Sequence, residues 1–420
     1  MIKNEYIFSY NLPQNDLISK LEEDRKGKQF IKVWNLNPPY INEIKETIVH
    51  NSSCKLSKIC DNYRGIRTGS KDVFVINKRS IDDLRLEKEL LKRVIIGTSV
   101  NKWSINYEDL YLLYLNKDID LNMENYPNTF NYLSKPSNKD TLENRAQYKS
   151  RKDRGEDINW YNIEQPLNPT LFENPKILTQ RISSKYGFTI DYDNYYVIET
   201  CSTIVPKEKY KKYITFILGI LNSKMMQFYC KNHFKSLGKD GYEFEPQFLV
   251  DIPIKFPRNS KEEAFMDNIM DNVQKILEFK KPLDIEDLIN EDDIDKLINL
   301  NCVKFSLDDG LELKALKTDK NKLYLNENNY IQVDNPLVLE FLFLYLSINF
   351  EKFKKTETLT DDIFNINIPK LDRIRSIIKI INDKETVDEK IIQIEEEINK
   401  CVYKLYGLDK EIAIIDNDLN

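Results

Sequence analysis

The chain has 420 residues, 41% hydrophobic and 31% charged, with a formal net charge of −6. This allows two or three domains with substantial cores, in the composition of an ordinary globular protein. No run of about 18 apolar residues occurs and the start, Met-Ile-Lys-Asn-Glu-Tyr, has no secretory core, so neither a membrane span nor a leader is expected. Six scattered cysteines without C-x-x-C spacing and two histidines argue against a zinc site and for reduced thiols in the cytoplasm.

In chain order, Asp16–Asp24 reads as a short helix with an acidic start, and Gln29–Trp34 alternates like a strand. Ile41–Val49 is patterned as a helix, and residues 1–50 together form a linker or docking segment. Residues 51–256 read as one domain of mixed short strands and helices. Val73–Ile76, Ile105–Leu115, Lys176–Thr179 and Tyr195–Ile198 are β-branched and aromatic runs between turn signals. Tyr126–Arg154 is polar and helical, and Tyr213–Tyr229 is apolar at helical spacing with Gly219 inside it. Pro246–Pro257 is punctuated by proline and closes the domain.

Residues 257–370 change character to an acidic module of helices and a small sheet. Ala264–Lys280 places Phe265, Ile269, Val273, Ile276 and Leu277 on one helical face. Asp284–Asp295 is acidic and helix-prone, 302–333 alternates like a small sheet, and Asn335–Phe350 is a buried run whose period fits helix or strand. In 371–420, Ile374, Ile377, Ile381, Ile391, Ile394, Ile398, Cys401 and Leu405 approximate a 3.5-residue seam. This predicts a long terminal helix or helical hairpin broken near Asn382-Asp383. The fold class is α+β: a domain of mixed short strands and helices, then a smaller α+β region ending in a long amphipathic helix or hairpin.

Charge divides along the chain. Residues 1–256 hold 39 Lys/Arg against 33 Asp/Glu, whereas 257–420 hold 23 against 35. A nucleic-acid contact needs a local basic surface, not a basic average. The front half supplies candidates. In Arg64-Gly-Ile-Arg-Thr-Gly69-Ser-Lys71, two glycines allow a sharp turn. Arg64, Arg67 and Lys71 suit phosphate or guanine, and Thr68 and Ser70 suit short-range bonds. The plain alternative is a hairpin with solvated charges; G-K-[ST] is absent, so the segment is not a P-loop. The densest basic run carries Lys149, Arg151, Lys152 and Arg154 before Trp160-Tyr161, which suits a groove tracking phosphates or a solvated helix face. Gln180 and Arg181 end a core strand and could read adenine and guanine edges, while Lys176 reads as structural. Lys235 and Lys239 lie in a glycine-containing loop suited to phosphate or to plain solvent exposure. No catalytic or metal-ligating residue is assigned.

Several phrases recur in a fixed order: Tyr63-Arg-Gly-Ile-Arg-Thr-Gly-Ser-Lys-Asp-Val-Phe-Val-Ile76, Tyr132-Leu133, Leu142-Glu-Asn-Arg145 and Trp160-Tyr161. Asn174-Pro-Lys-Ile-Leu-Thr-Gln-Arg181, Leu218-Gly-Ile-Leu-Asn-Ser-Lys224 and Leu249-Val-Asp-Ile-Pro253 follow. Together they resemble the TaqI-like C-terminal specificity domain of type IIG restriction-modification enzymes and adenine-N6 DNA methyltransferases. Glu395–Leu408 resembles the phrase that closes those enzymes, and 285–365 resembles nothing in them. The resemblance implies target recognition on double-stranded DNA, a structural role for Arg145, no cofactor in this chain, and S-adenosylmethionine (AdoMet) on a methyltransferase polypeptide partner. A separate subunit and the C-terminal part of a split enzyme both satisfy it. Two further readings stand beside it. Asn37-Pro-Pro-Tyr40 matches the loop that holds a flipped adenine, which would make the chain itself a methyltransferase. However, no G-x-G occurs anywhere among the 11 glycines to admit AdoMet. The acidic back half would also suit an anti-restriction or protein-interaction module.

Overall fold

The structure, a computed structural model, describes residues 38–234, 241–281, 285–289, 294–308, 311–354, 358–385 and 387–419. The expected helix at 16–24 and strand at 29–34 lie outside these residues. Helix α1 (Pro39–Asn51) forms as expected. The compact unit considered below runs from Ile44 to Asn420.

The front half contains strands β1 (Cys60–Arg64), β2 (Val75–Asn77), β3 (Leu91–Ile95), β4 (Leu110–Leu113), β5 (Lys176–Gln180), β6 (Thr189–Asp191), β7 (Tyr196–Val197) and β8 (Cys201–Pro206). They form two four-stranded sheets, β6-β5-β8-β1 and β7-β3-β4-β2. The first is antiparallel throughout, with Thr203 opposite Tyr63 and Leu178, whereas β7 runs parallel to β3 in the second. Lys176, Ile177, Leu178 and Thr179 are all buried, so this strand has both faces covered and does not alternate.

Two expected strands come out differently. Lys71–Phe74 is a helical turn and only Val75–Asn77 is strand, because Val73 and Phe74 both turn inward to the core. The run 105–115 is interrupted at Asp109, whose φ is 51°, so strand pairing resumes only at Leu110.

Between the sheets' strands lie three short helices, α2 (Pro127–Leu133), α3 (Pro136–Glu143) and α4 (Ala146–Asp153). Proline opens the first two, where its missing N–H costs nothing. The α2 N-terminus is capped from a distance: the Glu87 carboxylate accepts the Asn128 and Thr129 N–H groups, each at 2.9 Å. The apolar run 213–229 is two helices, α5 (Ile214–Leu221) and α6 (Lys224–His233). Asn222 leaves the helix to exchange two 2.9 Å hydrogen bonds with the Phe188 backbone, and Ser223 caps the next one.

Helix α7 (Ser260–Lys280) crosses α5 at Gly219. A Cβ there would stand 2.4 Å from Ile269 Cγ2, so the crossing requires glycine. The second core lies in residues 285–381. It packs strands β9 (Val303–Ser306), β10 (Lys317–Asp319), β11 (Lys322–Tyr324) and β12 (Tyr330–Val333), one four-stranded antiparallel sheet, against helices α8 (Pro336–Ile348) and α9 (Leu371–Glu385). The ambiguous run after Asn335 is helix because Asn335 Oδ1 caps the N–H groups of Leu337 and Val338 and Pro336 begins the turn. The acidic patch at 284–295 is not an α-helix where it is described. Glu286–Leu288 is a single 3-10 turn and Ile294–Lys296 a strand paired with Asn367–Pro369.

Helices α10 (Val387–Tyr406) and α11 (Ile412–Leu419) end the chain. The apparent seam from Ile374 to Leu405 therefore belongs to two helices with different partners. Ile374, Ile377 and Ile381 of α9 enter the second core, while α10 packs on α7. Glu395 binds Lys102 at 2.7 Å and also accepts the Trp103 indole N–H, and Glu396 binds Lys224 at 2.7 Å. Tyr406 is wholly buried: its hydroxyl donates to the Pro253 carbonyl at 3.0 Å and accepts the Lys255 N–H at 2.8 Å. Gly407, at φ 70°, reverses the chain, with the Leu408 N–H reaching back to the Tyr403 carbonyl.

One ion pair lies inside the front domain. Lys176 Nζ stands 2.5 Å from Asp191 Oδ2, both side chains fully buried, and donates to the Phe172 carbonyl at 3.0 Å. Asp191 also accepts the N–H groups of Asp193 and Tyr195. Burial pushes the lysine down and the carboxyl up, and each partner opposes the other's shift. Lys176→Met should therefore cost about 3–5 kcal/mol, because it strands a buried carboxylate. Adding Asp191→Leu should not restore stability, since two N–H groups lose their acceptor at roughly 1–3 kcal/mol each. Urea unfolding measures both; a single-variant loss under about 1 kcal/mol would contradict the pair's structural role. Tyr406→Phe should cost about 1–3 kcal/mol in the same assay through the orphaned Lys255 N–H, and an unchanged midpoint would show that α10 is not clamped there.

Candidate nucleic-acid interface

The segment Arg64–Lys71 is the place where the two sheets meet. Gly65 lies so close to the adjacent chain that a Cβ would fall 2.1 Å from the Ile198 carbonyl oxygen. The Ile66 N–H donates to the Val197 carbonyl and the Glu199 N–H to the Ile66 carbonyl, which locks β1's exit against β7. Gly69 takes φ 78° with the Glu164 side chain against it. Arg64, Arg67 and Lys71 are exposed and Ser70 is half-buried, whereas Thr68 is fully buried and offers its backbone carbonyl inward.

That carbonyl is held by Arg145. Its guanidinium is buried and donates to the carbonyls of Leu142 (2.9 Å), Thr68 (3.1 Å), Trp160 (2.7 Å) and Asn162 (2.9 Å). It also lies 5.6 Å from the Phe74 ring centroid. Burial lowers its pKa, and the nearby Glu164 carboxylate works the other way. A planar fork with five donors can serve four carbonyls at once, which an ammonium cannot. One residue thus joins the loop, the turn before α4 and the segment 160–162.

Glu164 is the second tie. Its side chain is 7% exposed, and Oε2 stands 2.9 Å from Arg67 Nε. The N–H is not aimed at this oxygen, which has no hydrogen-bond donor among the described residues. The Glu164 carbonyl accepts from Arg151, and the Gln165 N–H donates to the Arg67 carbonyl. Thr68 Oγ1 and Gln147 Oε1 are likewise buried without a partner among the described residues. Sequence reading passed over Glu164 because its partner lies 97 positions away and nothing local marks it.

The basic run sits on α4, beside the loop. Lys149 is exposed and bonded to Asn144 Oδ1 at 2.7 Å. Arg151 and Arg154 each stand 2.6 Å from Glu156, whose carboxyl their hydrogen bonds hold below its usual range. Lys152, like Arg64 and Lys71, is exposed with no charged partner among the described residues. Gln180 and Arg181 are elsewhere and engaged. Gln180 Nε2 donates to the Val100 carbonyl at 2.9 Å. Arg181 binds Glu245 at 2.6 Å and the Glu199 carbonyl at 2.8 Å. Lys235 and Lys239 lie outside the described residues, as does Asn37. Pro39 and Tyr40 open helix α1. Among the described residues no group of three or more His, Cys, Asp or Glu side chains is placed to hold a metal, and no helix is long and apolar enough to cross a membrane. All six cysteines are free thiols.

Known proteins resemble parts of this chain. A type II methyltransferase, M.BanIII, from Aneurinibacillus aneurinilyticus is 28% identical over 263 residues, covering 60% of this chain and 43% of that protein. The chain thus spans less than half the length of this relative. The solved structure of a type IIL restriction-modification enzyme, MmeI, in complex with DNA aligns over 86% of this chain and 35% of that one, at 12% identity and a TM-score of 0.45. The TaqI-like C-terminal specificity domain family matches residues 92–254. That span holds Arg145, the α4 cations and Glu164, and the loop Arg64–Lys71 is joined to it by the hydrogen bonds above. Over residues 92–254 this chain is therefore similar to a TaqI-like C-terminal specificity domain.

Proposed function

We propose that this chain recognises a specific sequence in double-stranded DNA for an adenine-N6 DNA methyltransferase or restriction-modification system of the cytoplasm. A separate methyltransferase polypeptide carries AdoMet and the chemistry. The observation that carries this reading is the Arg145–Glu164 hub, which fixes the exposed Arg64, Arg67 and Lys71 beside the exposed cations of α4. Mobile cations with no internal partner suit phosphates, and held ones suit base edges. The acidic 257–420 half suits a protein partner better than a polyanion, and the methyltransferase polypeptide is assigned to it.

We assign AdoMet to the partner and not to this chain. Its glycines with crowded surroundings are occupied by the protein itself: Gly65 by the Ile198 backbone, Gly187 by Lys102 and Gly219 by Ile269. No G-x-G sequence is present to cradle the cofactor.

The test is binding of the purified chain to a duplex library at several salt concentrations, with and without AdoMet. Sequence-selective binding that weakens with salt and ignores AdoMet is expected. No duplex binding, alone or with a methyltransferase polypeptide, would overturn the reading, and tight capture of a restriction enzyme instead would favour the interaction-module alternative. Within the same assay, Arg64→Ala and Lys71→Ala should weaken all sequences alike. Each should also reduce the slope of log K against log salt by about 0.9, the signature of one lost phosphate contact. Unchanged slopes would remove both residues from the interface.

A further inference from the structure

Arg67 differs from the other exposed cations of the interface, and the difference bears on what it touches. Its Nε lies 2.9 Å from a carboxylate whose side chain is only 7% exposed, while the Arg67 side chain as a whole is 48% exposed. The Nε therefore sits against a buried acid while about half of the side chain stays open to solvent. Its backbone is fixed as well, since the Arg67 carbonyl accepts the Gln165 N–H at 3.0 Å.

Two physical consequences follow. A carboxylate directly behind the guanidinium cancels most of its net charge, which makes Arg67 a poor phosphate anchor. It does not cancel the directional N–H donors of the planar guanidinium, whose own fork geometry is rigid. Such a fork matches the two major-groove acceptors of guanine, O6 and N7. Arg64, Lys71 and Lys152 show the opposite combination, with full charge and no charged partner among the described residues. In addition, Glu164 Oε2 is a buried acceptor without a hydrogen bond. A reorientation of Arg67 that turned Nε–H onto this oxygen would complete a bond that the free protein leaves unmade.

Resting on the DNA-recognition reading above, we propose that Arg67 reads a guanine in the target sequence and that Glu164 is its positioning residue. Glu164 also contributes to the loop's shape through Gly69, whose added Cβ would lie 2.5 Å from Glu164 Cγ. The carboxylate thus sets both the path of the loop and the direction of the side chain that the loop presents.

The experiment is duplex-library binding by the full chain, comparing the wild type with Arg67→Lys and Glu164→Gln, with thermal melting to check folding. Arg67→Lys keeps the charge and loses the fork. It should weaken a guanine preference at one position by about 5- to 150-fold. Glu164→Gln keeps the shape and loses the charge, and should relax the same position to a smaller degree. If the wild type binds selectively and Arg67→Lys changes no positional preference, the guanine assignment is overturned while DNA recognition stands. If Arg67→Lys relaxes a position and Glu164→Gln, folded, does not, Glu164 has no positioning role. If Glu164→Gln does not fold, the exposed Arg67→Lys still decides the guanine assignment. A wild type that binds no duplex overturns the recognition reading itself.

Discussion

A buried arginine is the constraint on which the front domain depends. Removing a guanidinium from water is costly, and Arg145 is tolerated only because four backbone carbonyls replace its hydration. Those carbonyls come from Thr68, Leu142, Trp160 and Asn162, three chain segments that share no strand pairing with one another through these residues. The requirement acts in both directions. The charge needs all four acceptors in place, so the segments cannot separate without exposing a poorly solvated cation. A surface loop, which would otherwise be mobile, acquires the rigidity of the core.

The same logic extends to the other end of the chain. Tyr406 lies at the end of α10, yet its hydroxyl is shared between Pro253 and Lys255 and its carbonyl accepts the Asn51 side chain. The closing phrase thus binds Asn51 as well as the 253–255 segment. Glu395 adds an ion pair to Lys102 that is partly shielded from solvent, and Glu396 a more exposed one to Lys224. Helix α10 is in this sense a structural part of the front domain, although some 130 residues separate it from Lys255. The 285–381 core lies between them in sequence and builds on its own sheet and helices.

Local pattern revealed the elements whose cause is local. Helix α7 is amphipathic along its length, and Lys176–Thr179 is a short apolar β-branched run. What pattern could not reveal had distant causes. Lys71–Phe74 is helical because Val73 and Phe74 must both reach the core, which a strand's alternation forbids. The run 213–229 splits because Asn222 is needed at Phe188. Ile294–Lys296, at the end of the acidic stretch, is strand through a partner at Asn367–Pro369. The candidate interface was legible as a list of cations, and Arg145 as a structural residue. Which cations are held and which are not was invisible, because Glu164 and Glu156 are distinguished from other acids only by the geometry around them.

On the DNA-recognition reading proposed above, that distinction separates two kinds of contact on one surface. Affinity from phosphates grows with net charge and tolerates mobility, because counterion release does not depend on the direction of a side chain. Discrimination between bases depends on direction, and a side chain already fixed loses less freedom on binding. Carboxylates therefore belong in such an interface even though they oppose its charge. Arg151 and Arg154 are oriented by Glu156, and Arg67 faces Glu164. Each acid subtracts from attraction to the polyanion and adds a defined direction to the donors that remain. A front half only mildly basic in its overall balance is the composition expected of a surface that reads DNA as well as holding it.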